Sequence, residues 1–72
     1  MIEITLNGEQ KEIAAGQSIL DLVQSLNLPT ARLAVEYNLK IVKRNNWSAQ
    51  RLFPGDKVEI VQFVGGGSVG SS

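Results

Sequence analysis

The chain carries a single helical stripe set among alternating stretches, and that pairing limits its fold more than any other feature. Ile19, Leu22, Val23 and Leu26 stand at i, i+3, i+4 and i+7, the spacing of one apolar face on an α-helix. Asp21 and Gln24 fall on the opposite side. A lone amphipathic helix must bury its stripe on something, and here only a sheet is on offer. Ser18 precedes the stripe as an N-cap, and Asp21, three residues on, completes a capping box. Asn27 is suited to a C-cap and Pro29 forbids continuation. The helix so bounded is expected to run about ten residues.

The strand signals surround it. Ile2, Ile4 and Leu6 alternate with Glu3 and Thr5, the period of a half-buried strand. Asn7-Gly8 follows, a dipeptide that tolerates positive φ and favours a tight hairpin. Lys11, Glu12 and Ile13 read as a short return strand. Leu33, Val35 and Tyr37 alternate with Ala34 and Glu36, Asn38-Leu39 reads as a turn, and Ile41-Val42 as a short paired strand. Residues 43–50 are polar apart from Trp47 and Ala49, which suggests a loop or helical turn pinned to the body by the indole. Pro54-Gly55-Asp56 is a turn in which the Asp56 carboxylate is expected to cap backbone amides. In the last strand Val58, Ile60, Gln62 and Val64 alternate with Lys57, Glu59, Val61 and Phe63. Its end is apolar on both faces. That fits a strand covered on both sides, or one whose outer face is kept for a partner.

Hairpin, helix, two short strands, turn and long strand make an α+β chain. The predicted fold is a β-grasp (ubiquitin-like), a mixed sheet of four to five strands with one main helix across one face. The first and last strands are expected as parallel neighbours in the middle, and the helical stripe to rest on Ile2, Ile4, Leu6, Val58 and Ile60. Residues 1–64 form this domain. Residues 65–72 hold four of the glycines, three serines and one apolar side chain, Val69. Such a segment cannot offset its ordering entropy and is expected to be a flexible tail.

Composition excludes much chemistry. At 72 residues there is room for one domain, which buries only about 60% of its unfolded surface. There is no cysteine and no histidine, hence no disulfide, no thiolate zinc site and no histidine base. Seven basic and seven acidic residues balance, so no long-range field draws nucleic acid or an anionic membrane. No apolar run approaches the ~20 residues that span a bilayer. Met1 leads straight into a strand pattern containing Glu3, unlike a signal peptide, and the cytoplasm is the expected location. Glu36, Asp56 and Glu59 show no pattern that places them round a pocket. Lys40, Lys43, Arg44 and Arg51 cluster round one loop, as a solvated face or as a contact for an acidic partner.

Several stretches resemble the ThiS family, small ubiquitin-like sulfur carriers of thiamine biosynthesis. They are Gly16-Gln17-Ser18-Ile19-Leu20-Asp21-Leu22, Ala34-Val35-Glu36-Tyr37-Asn38, Ile41 to Trp47, and the run from Pro54-Gly55-Asp56 through Val64 into Gly65-Gly66-Gly67. The resemblance covers nearly the whole chain to Gly67. Its most specific piece is the aspartate-led last strand passing directly into glycines. It implies that the carrier has no catalytic side chain and binds no cofactor or metal of its own. A ubiquitin-activating-type adenylyltransferase would use ATP to adenylate the carboxylate of Gly67, or of Gly66. Sulfur from a cysteine desulfurase route would then displace AMP, and the thiocarboxylate would serve thiazole synthase. Gly65 would belong to the stalk, and Val61, Phe63 and Val64 would be candidates for partner binding. Glycine suits a stalk because a narrow channel can close round a backbone without Cβ atoms.

Ser68-Val69-Gly70-Ser71-Ser72 depart from the family pattern, which ends at its glycines. A cloning remnant, an extension removed by a protease and a chain that is not an active carrier all fit this departure. Other functions stay open beside the first: a small subunit like that of molybdopterin synthase, a ubiquitin-like modifier, and a non-covalent β-grasp binding module.

Overall fold

The computed structural model describes residues 1–62. It contains five strands and one α-helix: β1 (Ile2–Leu6), β2 (Glu9–Ile13), α1 (Ile19–Ser25), β3 (Leu33–Tyr37), β4 (Lys40–Val42) and β5 (Lys57–Gln62), with short 3-10 turns at Thr30–Arg32 and Arg44–Asn46. The strands form one sheet in the order β2-β1-β5-β3-β4. β1 and β5 are parallel and central, and the remaining pairs are antiparallel. This is the β-grasp α+β fold. The expected tail, and with it Phe63 and Val64, lies outside the described residues.

The hairpin β1–β2 is longer than expected, because pairing begins at Leu6↔Glu9 and leaves only Asn7 and Gly8 in the turn. Both have positive φ, 50° and 83°, as a mirror-image hairpin turn requires. The helix is shorter than expected, seven residues, and its C-cap is Leu26. Asn27 stands one place beyond, at φ 57°, where the chain reverses in the left-handed region. The Leu26 N–H turns back to Val23 (3.2 Å), a tightened last turn that closes the helix early.

At the other end the capping box forms as expected. Asp21 N–H donates to Ser18 Oγ (3.2 Å), and Ser18 N–H to Asp21 Oδ2 (3.1 Å). The remaining first-turn amides are satisfied from a distance. Ile19 N–H donates to the Gln50 carbonyl (2.9 Å) and Leu20 N–H to that of Trp47 (3.2 Å). The loop that links β4 to β5 thus holds the helix N-terminus.

One core joins these elements. Ile4, Ile13, Ile19, Leu22, Val23, Leu33, Val35, Trp47, Leu52, Val58 and Ile60 form a single buried cluster. Ile2 and Leu6, expected beneath the helix, pack only at its margin. Leu52, which no periodicity singled out, is as buried as Ile4. Trp47 is the anchor its loop called for, buried with its Nε1–H donated to the Val42 carbonyl (2.9 Å).

Candidate functional site

The candidate site is built on β5, which leads toward the glycines. Val58 and Ile60 point into the core, while Lys57, Glu59 and Val61 are exposed on the opposite face. Of the two readings of this strand, the open outer face is the observed one as far as Gln62. Val61 is 55% exposed, so it is available to a partner. Phe63, Val64, Gly65, Gly66 and Gly67 lie outside the described residues.

Two asparagines clamp β5 where its neighbours end. β1 pairs with it only at Thr5↔Lys57 and Leu6↔Val58. Asn7 then turns away, and its side chain replaces the missing strand. Its Oδ1 accepts from Ile60 N–H (2.7 Å) and its Nδ2 donates to the Ile60 carbonyl (3.4 Å). On the other edge Asn38 pairs Lys57 with one side-chain and one backbone group: Lys57 N–H donates to Asn38 Oδ1 (2.8 Å), and the Lys57 carbonyl accepts from the Asn38 backbone N–H (2.8 Å). A central strand needs its amides paired on both sides, and a side-chain amide mimics a peptide well enough to supply this.

Asp56 organises the start of the strand. Its carboxylate accepts from Phe53 N–H (2.8 Å), as the turn predicted, and also from Tyr37 Oη–H (2.6 Å) and Asn38 Nδ2 (3.3 Å). Partial burial, the hydrogen bond to Asp56 and its negative charge together push the Tyr37 phenol up from 10.0 to about 12. The role is structural: the bonds tie the β4–β5 connection to β3.

Three of the four basic residues of this loop have separate contacts. Arg51 Nη1 donates to the Gly16 carbonyl (2.7 Å), and the Arg44 guanidinium lies 5.8 Å from the centre of the Trp47 ring. Lys40 lines a shallow groove of about 480 Å³ with Tyr37, Ile41, Val42, Asn46, Ala49 and Gln50. Glu36 and Glu59, dismissed as a pocket pair, stand directly opposite each other across β3 and β5 on the outer face. Asp56 is not with them. Among the described residues, no cluster of three or more acidic side chains could hold a metal ion, and no helix is long and apolar enough to cross a membrane.

Sequence reasoning missed the asparagine clamps and the Glu36–Glu59 register. Asn7 and Asn38 were visible only as turn residues, since their second role depends on where β1 and β3 end beside β5. The glutamates' alternation put each on a strand's polar side, but the register decides that they meet.

A five-stranded β-grasp sheet with one covering helix, an open outer face and a last strand leading into glycines defines a ubiquitin-like domain. The ThiS family model matches residues 4–67, and the chain belongs to the ThiS family. It is 30% identical over 66 residues to the sulfur carrier protein ThiS of Escherichia coli, covering 92% of this chain and 100% of that one. It is also 36% identical over 67 residues to a thiazole synthase of Paramagnetospirillum magneticum, covering 93% of this chain but only 21% of the synthase. The chain thus spans about a fifth of the thiazole synthases it matches. The crystal structure of the thiamine biosynthesis protein ThiS from Geobacter metallireducens superposes with a TM-score of 0.79 at 29% identity, covering 92% of this chain and all of that one.

Proposed function

We propose that the protein is a sulfur carrier whose C-terminal glycine becomes a thiocarboxylate and donates sulfur to thiazole formation. The family match carries this reading, because it extends through the body into the glycine run and reaches Gly67. The names of the relatives, a sulfur carrier and two thiazole synthases, support the same pathway.

The chemistry needs no side chain from the carrier, which acts as a co-substrate of other enzymes. An adenylyltransferase binds ATP, the Gly67 carboxylate oxygen attacks the α-phosphorus, and pyrophosphate leaves. A sulfur nucleophile then attacks the acyl carbon and AMP departs, leaving –COSH. The acyl adenylate is the activated species, so the sulfur transfer runs downhill. The body's part is recognition and a firm base for the stalk. Fully extended, the five residues from 63 to 67 would reach at most about 18 Å beyond Gln62. The Asn7 clamp on Ile60 keeps β5 in register near the root of that reach.

The test uses the chain ended at Gly67, with ATP, the adenylyltransferase and bisulfide. Its mass should rise by the difference between sulfur and oxygen. The 72-residue chain should not react, because its terminal carboxylate is that of Ser72. Equal reaction of both forms would remove Gly67 as the working end. No reaction of the shorter form would favour a non-covalent binding module.

A further inference from the structure

The two asparagines that clamp β5 are followed by very different residues. Asn7 precedes Gly8, and Asn38 precedes Leu39. An asparagine side chain can be attacked by the backbone nitrogen of the residue after it, and a residue without a Cβ leaves that approach open. Of the five asparagines only Asn7 stands before glycine, while Asn27, Asn38, Asn45 and Asn46 stand before Leu28, Leu39, Asn46 and Trp47. Asn7 and Gly8 are both exposed, so solvent reaches the peptide between them. The turn has little choice of residues, because it needs positive φ at both positions, 50° and 83°. What restrains Asn7 in the fold is its own clamp. Its amide is held at both ends by Ile60, with Oδ1 accepting from the N–H (2.7 Å) and Nδ2 donating to the carbonyl (3.4 Å). The pairing of Leu6 with Glu9 fixes the backbone of the turn. For its Cγ to meet the Gly8 nitrogen, the side chain must give up both bonds.

We propose that Asn7 is a modification site gated by the fold: it stays an amide while clamped to Ile60, and converts to aspartate or isoaspartate once the hairpin opens. In the open chain the Gly8 amide gives its proton to solvent and its nitrogen attacks Asn7 Cγ. The new C–N bond closes a five-membered succinimide as the Cγ–Nδ2 bond breaks, and Nδ2 leaves as ammonia. Water then opens the ring at one carbonyl or the other. No oxidant, cofactor or enzyme is required. Either product spoils the clamp. An ionised aspartate only accepts hydrogen bonds, so it cannot replace Nδ2 as donor and sets negative charge against the Ile60 carbonyl. Isoaspartate carries the chain through the side-chain methylene and so lengthens a turn of two residues, whose length fixes the hairpin register. β1 offers nothing in compensation, since its pairing with β5 stops at Leu6↔Val58. The loss falls on Ile60, two residues before Gln62, near the base of the segment that leads toward the glycines. The Asn38 clamp, with a leucine behind it, is spared. The site therefore records unfolding, because a chain that has opened refolds with a weaker hold on that end of β5.

The test incubates the full 72-residue chain at mildly alkaline pH, in buffer and in guanidinium chloride, and follows each asparagine by peptide mapping with mass spectrometry. In denaturant the peptide holding Asn7 should gain the mass difference between OH and NH2 and separate into aspartate and isoaspartate forms. The peptides holding the other four asparagines should stay unchanged over the same period. In buffer the conversion of Asn7 should be at least about tenfold slower, because it waits for the hairpin to open. Gly8→Ala, compared in denaturant where its effect on folding does not matter, should slow the reaction by roughly tenfold. The isoaspartate form, purified and returned to buffer, should melt below the untreated chain and exchange its Ile60 amide faster. The proposal is overturned if Asn7 converts equally fast in buffer and in denaturant, if it does not convert in denaturant, or if another asparagine converts first. It is also overturned if the isoaspartate form matches the untreated chain in midpoint and in Ile60 exchange. None of these measurements involves Gly67, so the site stands or falls apart from the sulfur chemistry.

Discussion

On the helix side of the sheet, Val35 and Val58 are completely buried and Ile4 nearly so, closed over by Ile19, Leu22 and Val23. On the other side the same strands carry a half-buried Glu36, an exposed Glu59 and a largely exposed Val61. The two faces share one backbone and one alternation, and are separated by a single residue step along each strand. They differ because a chain with one helix can cover only one face. The covered face is bound by packing, where every methylene has neighbours. Among the described residues no element covers the open face, so it can carry like-charged neighbours and exposed apolar groups at little cost to the fold. The division predicts that substitutions will sort by face, with stability lost on one and partner binding on the other.

The largest effect should come from the covered face. Leu22→Ala removes a fully buried side chain at the centre of the core. It should cost about 2–5 kcal/mol, a large share of what so small a domain holds. Thermal unfolding followed by circular dichroism checks it, and an unchanged midpoint would break the comparison outright.

Next comes the Tyr37–Asp56 bond at the margin of the core. The phenol is pushed up to about 12 in the folded chain from an ordinary 10.0. Folding therefore favours the protonated form. The stability it supplies is complete below pH 10 and is lost as pH rises toward 12. In urea titrations between pH 9 and about 12, the stability difference between wild type and Tyr37→Phe should be steady below pH 10 and shrink as pH rises toward 12. A constant difference would mean that the bond does not govern the titration.

A smaller effect, of opposite sign, is expected at the tip of the β3–β4 hairpin. Leu39 sits at φ 74°, a conformation costly for a branched side chain, and it is 78% exposed, so packing returns little. Leu39→Gly should stabilise by about 1 kcal/mol, read as a higher urea midpoint. Destabilisation would show that Leu39 contributes packing of its own.

The smallest stability effect belongs to the open face. Val61→Ala should alter stability by less than about 0.5 kcal/mol. It should nonetheless raise the KM for the carrier in the adenylation assay. A large loss of stability would merge the two faces into one core and remove the basis of the contrast.

How far the sequence carried can be judged residue by residue. The spacing of Ile19, Leu22, Val23 and Leu26 located α1, and Ser18 with Asp21 marked its start to the residue, because capping is a local affair of three neighbouring positions. Its end was misjudged, since the reversal at Asn27 depends on the last turn tightening at Leu26. Trp47 was legible as an anchor because an indole in a polar loop has few other uses. Leu52 was not, because it lies in no periodic stretch and owes its burial to the loop returning under the helix. There Leu52 N–H donates to the Gln17 carbonyl (2.8 Å).

Local pattern therefore determined the elements, their order, the side of each strand that faces the core, and the family. Those properties depend on neighbours within a few residues, where sterics and periodicity act. Only the tertiary structure decided which residues meet across the sheet. It set Glu36 against Glu59, Asn7 on the backbone of Ile60, and Tyr37 on Asp56. Strand register is settled by the whole core closing at once, and a shift of one residue would have turned Val58 outward and Val61 inward.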